Sequence, residues 1–196
     1  MAYVSELIIY PIKGLCGIRV NEMELDKWGG IGIKDDREYA MYDKKTGCYV
    51  NGKQNPKIFR IRVLKYEKPC TLKLLNISDN DEIEVNLKQN LSKAEEWLSK
   101  VLGKEVIIKY TGNQESSFTD DPRFDGPTSI SQKTLEKVAG WFEISETETL
   151  DRFRPNIVID GVDAFWEDNL VAQNEKNGVK FKIGSCEMVG LYPVHR

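Results

Sequence analysis

Three short segments of this chain place a cation beside a turn-forming residue at the edge of a β run. They are Tyr10-Pro11-Ile12-Lys13-Gly14, the Asp36-Arg37 dipeptide with Gln54 and Pro56 downstream, and Arg152-Phe153-Arg154-Pro155-Asn156. A cation at a strand end next to Pro or Gly is well placed to meet an anion, because exposed backbone N–H groups there add to its positive potential. Arginine suits bidentate capture of phosphate or carboxylate, whereas lysine supplies a point charge. Arg152 reads as a solvated surface residue. Taken one at a time, a cation at a strand end is more often solvated or half of a weak ion pair, so residue type and spacing alone stop at an α+β protein with candidate anion-binding positions.

The elements that must position these cations follow from periodicity. From Tyr3 to Leu87 short β runs alternate with turns at Pro11, Gly29-Gly30 and Asn51-Gly52. Alternation is clearest at Phe59, Ile61 and Val63 against Arg60 and Arg62, and at Ile83, Val85 and Leu87 against their polar neighbours. Residues Asp43 to Gly47 read as a hairpin loop. A helix follows, with Ser92 and Glu95 as a capping box, Leu91, Ala94, Leu98, Val101 and Leu102 at helical spacing, and Gly103 as its end. Glu105 to Tyr110 is a strand, and the polar stretch 111–127 is a domain junction or active-site loop. A second helix starts near Ser131 and presents Leu135, Val138, Ala139 and Phe142 on one face; strands follow at Pro155–Ile159, Val179–Ile183 and Cys186–Tyr192.

Composition narrows the function classes. The 196 residues suffice for one large domain or two small ones. With 28 basic against 31 acidic residues and a net charge of −3, nonspecific nucleic-acid binding is disfavoured. No apolar run approaches the roughly 20 residues that span a bilayer, and the N-terminus has no signal-peptide pattern, so a cytoplasmic protein with no membrane partner is expected. Cys16, Cys48, Cys70 and Cys186 form no C-x-x-C pair and have no histidine cluster, which argues against zinc and iron–sulfur binding and for reduced thiols used in packing. His195 is the sole histidine and reads as a polar residue near the terminus.

Taken in order, Tyr10-Pro-Ile-Lys13, Asp36-Arg37 and Gln54-Asn-Pro56 resemble the N-terminal β-barrel domain of MOSC proteins. Arg152-Phe-Arg-Pro-Asn-Ile-Val-Ile159 with Phe165-Trp-Glu-Asp168 resembles the signature of the MOSC domain itself, in the branch that includes the mitochondrial amidoxime-reducing component and its bacterial relatives. The resemblance implies a mainly β, α+β fold: a β-barrel-like domain over 1–110 and a C-terminally incomplete MOSC barrel domain with a few helices over 111–196. It implies that Lys13, Arg37 and Arg154 contact the phosphate and pterin of molybdenum cofactor (molybdopterin). Asn156 is implied as a hydrogen-bond partner, and the Asp125–Ser129 loop, with Thr128 and Ser129, as a source of hydroxyl and amide contacts. Glu167 and Asp168 match an acidic pair that holds the arginine segment or meets substrate.

Two departures accompany the match. The position after the lysine, often Ser in the family, is Gly14. The resemblance also puts the molybdenum-ligating Cys immediately after Arg196, so no metal ligand is assigned within the chain. Cys186 would stand about 30 Å from that position at roughly 3.3 Å per strand residue, and is read as a packing group. The expected activity is a molybdenum-dependent oxidoreductase, or a fragment of one, that reduces N-hydroxylated compounds with electrons from a partner reductase or ferredoxin-like domain. No plant-type iron–sulfur spacing and no G-x-G-x-x-G occurs in the chain, which is why the electrons must come from a partner. The alternative is a non-catalytic MOSC-like binding module without the metal-ligating Cys, and on either reading the fragment holds molybdenum cofactor or lacks it. An open sheet edge from Met188 to Arg196, with self-association through it, is a further expectation.

Overall fold

The structure, a computed structural model, describes residues 1–25, 32–110, 126–171, 178–191 and 193. It is an α+β fold dominated by strands, with twelve strands and three α-helices among the described residues. The chain divides into two compact units: residues 9–126, and residues 127–196 together with the first eight.

In the unit of residues 9–126, β2 (Ile12–Lys13) runs parallel to β4 (Tyr39–Asp43), which pairs antiparallel with β8 (Val106–Tyr110). A second sheet is the antiparallel meander β5 (Ile61–Glu67), β6 (Thr71–Asn76) and β7 (Asp81–Asn86). Alternation works as expected in this meander: Ile61, Val63, Leu72, Leu74, Ile83 and Val85 all point into one core. Phe59 departs from it. It belongs to a 3-10 turn, Pro56–Arg60, and is 63% exposed, because Asn55 caps that turn on the Lys57 N–H and breaks the strand period one residue before Ile61.

Helix α1 (Leu91–Leu102) buries Ala94, Trp97, Leu98, Val101 and Leu102 against this core and ends at Gly103 in the left-handed conformation. Its start differs from the expected capping box. Asn90, not Ser92, caps it by accepting the Lys93 N–H at 3.3 Å. Glu95 instead accepts the Ile108 N–H at 2.7 Å and so ties the helix to β8. Asp43 organises the loop to Gly47 by accepting the N–H groups of Lys45 and Thr46.

In the other unit, β10 (Ile157–Asp160) lies between antiparallel β1 (Tyr3–Ile9) and parallel β9 (Ser129–Ser131). The parallel pair is joined by two helices, as such a connection demands. Helix α2 (Gln132–Phe142) is capped by Ser131 and buries Leu135, Val138 and Ala139. Phe142, expected on that face, is 66% exposed because the helix ends there and Glu143 turns left-handed. Helix α3 (Glu146–Phe153) was not anticipated, although Ser145 and Glu148 carry the S-x-x-E pattern of a helix start. Ile157, Ile159 and Leu170 centre a smaller core that Phe181 and Met188 join from the hairpin of β11 (Val179–Ile183) and β12 (Cys186–Gly190). Residues 111–125 of the polar stretch, as well as His195 and Arg196, lie outside the described residues. No helix among the described residues is long and apolar enough to cross a membrane.

Candidate functional site

Lys13 and Arg37, distant in sequence, are carried on one paired stretch of backbone. Asp36 is 3% exposed and accepts the Tyr10 N–H at 2.7 Å; the Arg37 N–H returns the exchange by donating to the Tyr10 carbonyl at 2.7 Å. The Tyr39 N–H then donates to the Pro11 carbonyl, and Ile12 and Lys13 pair with Tyr39 and Ala40. The two motifs thus form one hydrogen-bonded unit, and Pro11 fits because no N–H is needed from it.

The side chains are braced as well as the backbone. The Arg37 guanidinium donates to the Asp36 carboxylate and stacks 4.8 Å from the centre of the Tyr10 ring. The Lys13 ammonium stands 4.5 Å over Tyr49, whose ring is 4.5 Å from Tyr42, and Lys109 covers Tyr42 at 4.2 Å. Burial, with a hydrogen bond to Tyr49, pushes the Tyr42 phenol up to about 12, so it stays neutral beneath the Lys109 ammonium. Tyr49 was not singled out from sequence; its only local signal is its place across the hairpin from Tyr42. Gly14, at φ +94, brings the backbone so close to Ile58 that an added Cβ would lie 3.0 Å from its Cδ1.

In the other unit, Arg154, Asn156, Thr128 and Ser129 come together where α3 ends and β10 starts. Arg154 closes α3 in the left-handed conformation, φ 53 and ψ 49, its N–H donating to Leu150. Arg37 has the same hand, at φ 52. A left-handed arginine costs roughly 1–2 kcal/mol, which glycine would avoid, so a requirement for the side chain is the physical reason to keep it.

Asn156 is 1% exposed and spends its amide inside the unit. Its Nδ2 donates to the Ile8 carbonyl at 3.1 Å, and its Oδ1 accepts from the N–H and hydroxyl of Thr128. The Thr128 carbonyl receives the N–H groups of Asn156 and Ile157, and Ser129 opens β9 opposite Ile157. Arg152 points away from this junction and pairs with Glu148 on the exposed face of α3.

A scan of family models matches residues 1–105 to the MOSC N-terminal beta barrel domain. The chain belongs to that family. Among curated relatives, two proteins named molybdenum cofactor sulfurase match nearly the whole chain. The Caenorhabditis briggsae protein is 24% identical over 97% of this chain and 29% of its own length, and that of Danio rerio 27% identical over 96% and 28%. Human mitochondrial amidoxime reducing component 2 is 25% identical over 84% of this chain and 58% of its own length. The chain spans less than a third of the sulfurases and a little over half of the amidoxime reducing component.

Each unit by itself carries side chains of a kind that suits a phosphorylated ligand: Lys13 and Arg37 in the one, Arg154 with the Thr128 and Ser129 hydroxyls in the other. Glu167 Oε2 adds an acceptor: it is buried without a hydrogen-bond partner, in the 3-10 turn Trp166–Leu170 that packs on β9, and a pterin N–H would satisfy it. A soft metal would in addition require a thiolate, and all four cysteines are free thiols outside these two groups of residues.

Proposed function

We propose that this chain binds molybdenum cofactor, with Lys13, Arg37 and Arg154 as the residues that contact its phosphate and pterin. The observation that carries the reading is that both matching arginines adopt a strained left-handed backbone while their neighbours, Asp36 and Asn156, are buried and hydrogen-bonded in place. In this reading Asn156 and Thr128 position Arg154 and offer backbone groups, Ser129 adds a hydroxyl, and Glu167 receives a pterin N–H. When bound, the cofactor supplies two-electron redox chemistry at its metal. The chain supplies charge neutralisation and orientation.

For the whole protein, similarity to human mitochondrial amidoxime reducing component 2 favours reduction of N-hydroxylated compounds, and the electrons would come from a partner reductase or ferredoxin-like domain. A second reading is a module that holds cofactor for another domain's chemistry. It is favoured by the sulfurases, which match 96–97% of the chain with only 28–29% of their own length.

The first test is metal and pterin content. The chain co-expressed with cofactor biosynthesis should retain molybdenum and pterin, and Arg37→Ala and Arg154→Ala should each lower both at least tenfold. Equal content in the wild type and both variants would end the assignment. Reduction of a benzamidoxime-type substrate with a reductase then separates the oxidoreductase from the module.

A further inference from the structure

A second cluster, of different chemistry from the cations, lies in the unit of residues 9–126, where Asp35 and Glu38 flank the Asp36-Arg37 pair. One ligand-type atom from each of Asp35, Glu38 and Cys70 lies within 4.8 Å of the others. Asp35 and Glu38 precede β4, and Cys70 sits in the turn between β5 and β6, so the fold brings together donors more than thirty residues apart. Cys70 is buried, and Glu38 accepts the Asp35 N–H at 3.2 Å, which aims its carboxylate. Burial holds the Glu38 carboxyl above the usual range and the Cys70 thiol above its own. Among the described residues neither carboxylate has an ion-pair partner.

An independent observation points to a ligand. The Tyr66 hydroxyl is buried and makes no geometrically sound hydrogen bond; burial above all, then the neighbouring Asp35 and Cys70, push its pKa up. A buried hydroxyl without a partner costs about 1–3 kcal/mol. Asp35 and Tyr66 also line a cleft of about 530 Å³, whose other walls include Arg19, Met23 and Lys68, so the Asp35 side of the cluster faces that cleft.

We propose that Asp35, Glu38 and Cys70 form a site for a borderline-soft divalent cation, Zn²⁺ in class, with a metal-bound water reaching the Tyr66 hydroxyl. One thiolate and two carboxylate oxygens are a coherent donor set for such an ion, and three protein ligands leave a fourth position for water. Metal–ligand bonds of about 2.0–2.3 Å bring donor atoms to roughly 3.5 Å from one another, which rotation of the carboxylates achieves. Binding also requires the Cys70 thiol and the Glu38 carboxyl to give up any proton they hold, which the ion's charge favours.

The probe is Co²⁺ titrated into the full, reduced chain. The expected result is one equivalent bound, with a thiolate-to-cobalt charge-transfer band that Zn²⁺ displaces. Cys70→Ser should abolish the band, Cys48→Ser should leave it unchanged, and Tyr66→Phe should weaken binding about tenfold. No thiolate band in the wild type overturns the site, as does a band that survives Cys70→Ser or vanishes in Cys48→Ser. If Cys70→Ser loses its folded circular dichroism, Asp35→Asn and Glu38→Gln decide: at least tenfold weaker Co²⁺ binding supports the site, and unchanged affinity in both overturns it.

Discussion

The carboxylate of Asp36 accepts the backbone N–H of Tyr10 at 2.7 Å in a buried setting, the one side-chain bond among the backbone bonds that join the two N-terminal motifs. Its loss leaves a buried donor without a partner and Arg37 without its brace. Asp36→Ala should therefore cost about 1–3 kcal/mol in urea unfolding. A change below a few tenths of a kcal/mol would mean that the motifs are held by something else.

Arg154 occupies a backbone conformation suited to glycine. Arg154→Gly and Arg154→Ala remove the same side-chain contacts, so their difference isolates the backbone cost. The glycine variant should be more stable than the alanine variant by about 1–2 kcal/mol, while both lose cofactor retention. Equal stabilities would show that the left-handed conformation is relaxed in the variants.

Asn156 links the ends of β1 and β9 to the start of β10 through both ends of its amide. Asn156→Ala strands the Ile8 carbonyl and the Thr128 N–H, at about 1–3 kcal/mol each. Asn156→Asp keeps the acceptor but buries a charge, and its unfolding midpoint should also fall.

Gly14 stands where family members often carry serine. At φ +94, with Ile58 Cδ1 facing the position, Gly14→Ser should destabilise by about 1–3 kcal/mol rather than improve anion binding. Calorimetry and phosphate-ligand titration on the same variant separate the two outcomes.

Glu38 gives a pH dependence in metal-free protein. Burial raises its folded pKa above the unfolded value, so the folded state binds more protons and stability falls as pH rises from the unfolded to the folded pKa. The penalty is absent well below both values and complete above both. Glu38→Gln, whose Oε1 can still accept the Asp35 N–H, should be more stable than the wild type at neutral pH and equal to it near pH 3. A constant difference across that range would assign the effect to packing.

Much of the architecture was written in local pattern. The alternation of Ile61, Val63, Ile83 and Val85 specified the meander, the apolar stripe from Ala94 to Leu102 specified α1, and Gly103 its end. Both depend on near neighbours in the chain, and so do the cation-bearing turns at Lys13, Arg37 and Arg154. Local pattern misled where two short-range signals competed: Asn90 outranked Ser92 as the cap, and Asn55 pulled Phe59 out of the strand period.

Only tertiary packing decided what the polar residues do. Glu95 left its expected capping role for the Ile108 N–H, Asp36 became a buried staple, and Asn156 turned inward instead of outward. Asp35, Glu38 and Cys70 met across a turn that no spacing rule connects. The reason is that an apolar residue's preference is set by period and burial, whereas a buried polar group must find a specific partner, and that partner is chosen by the fold.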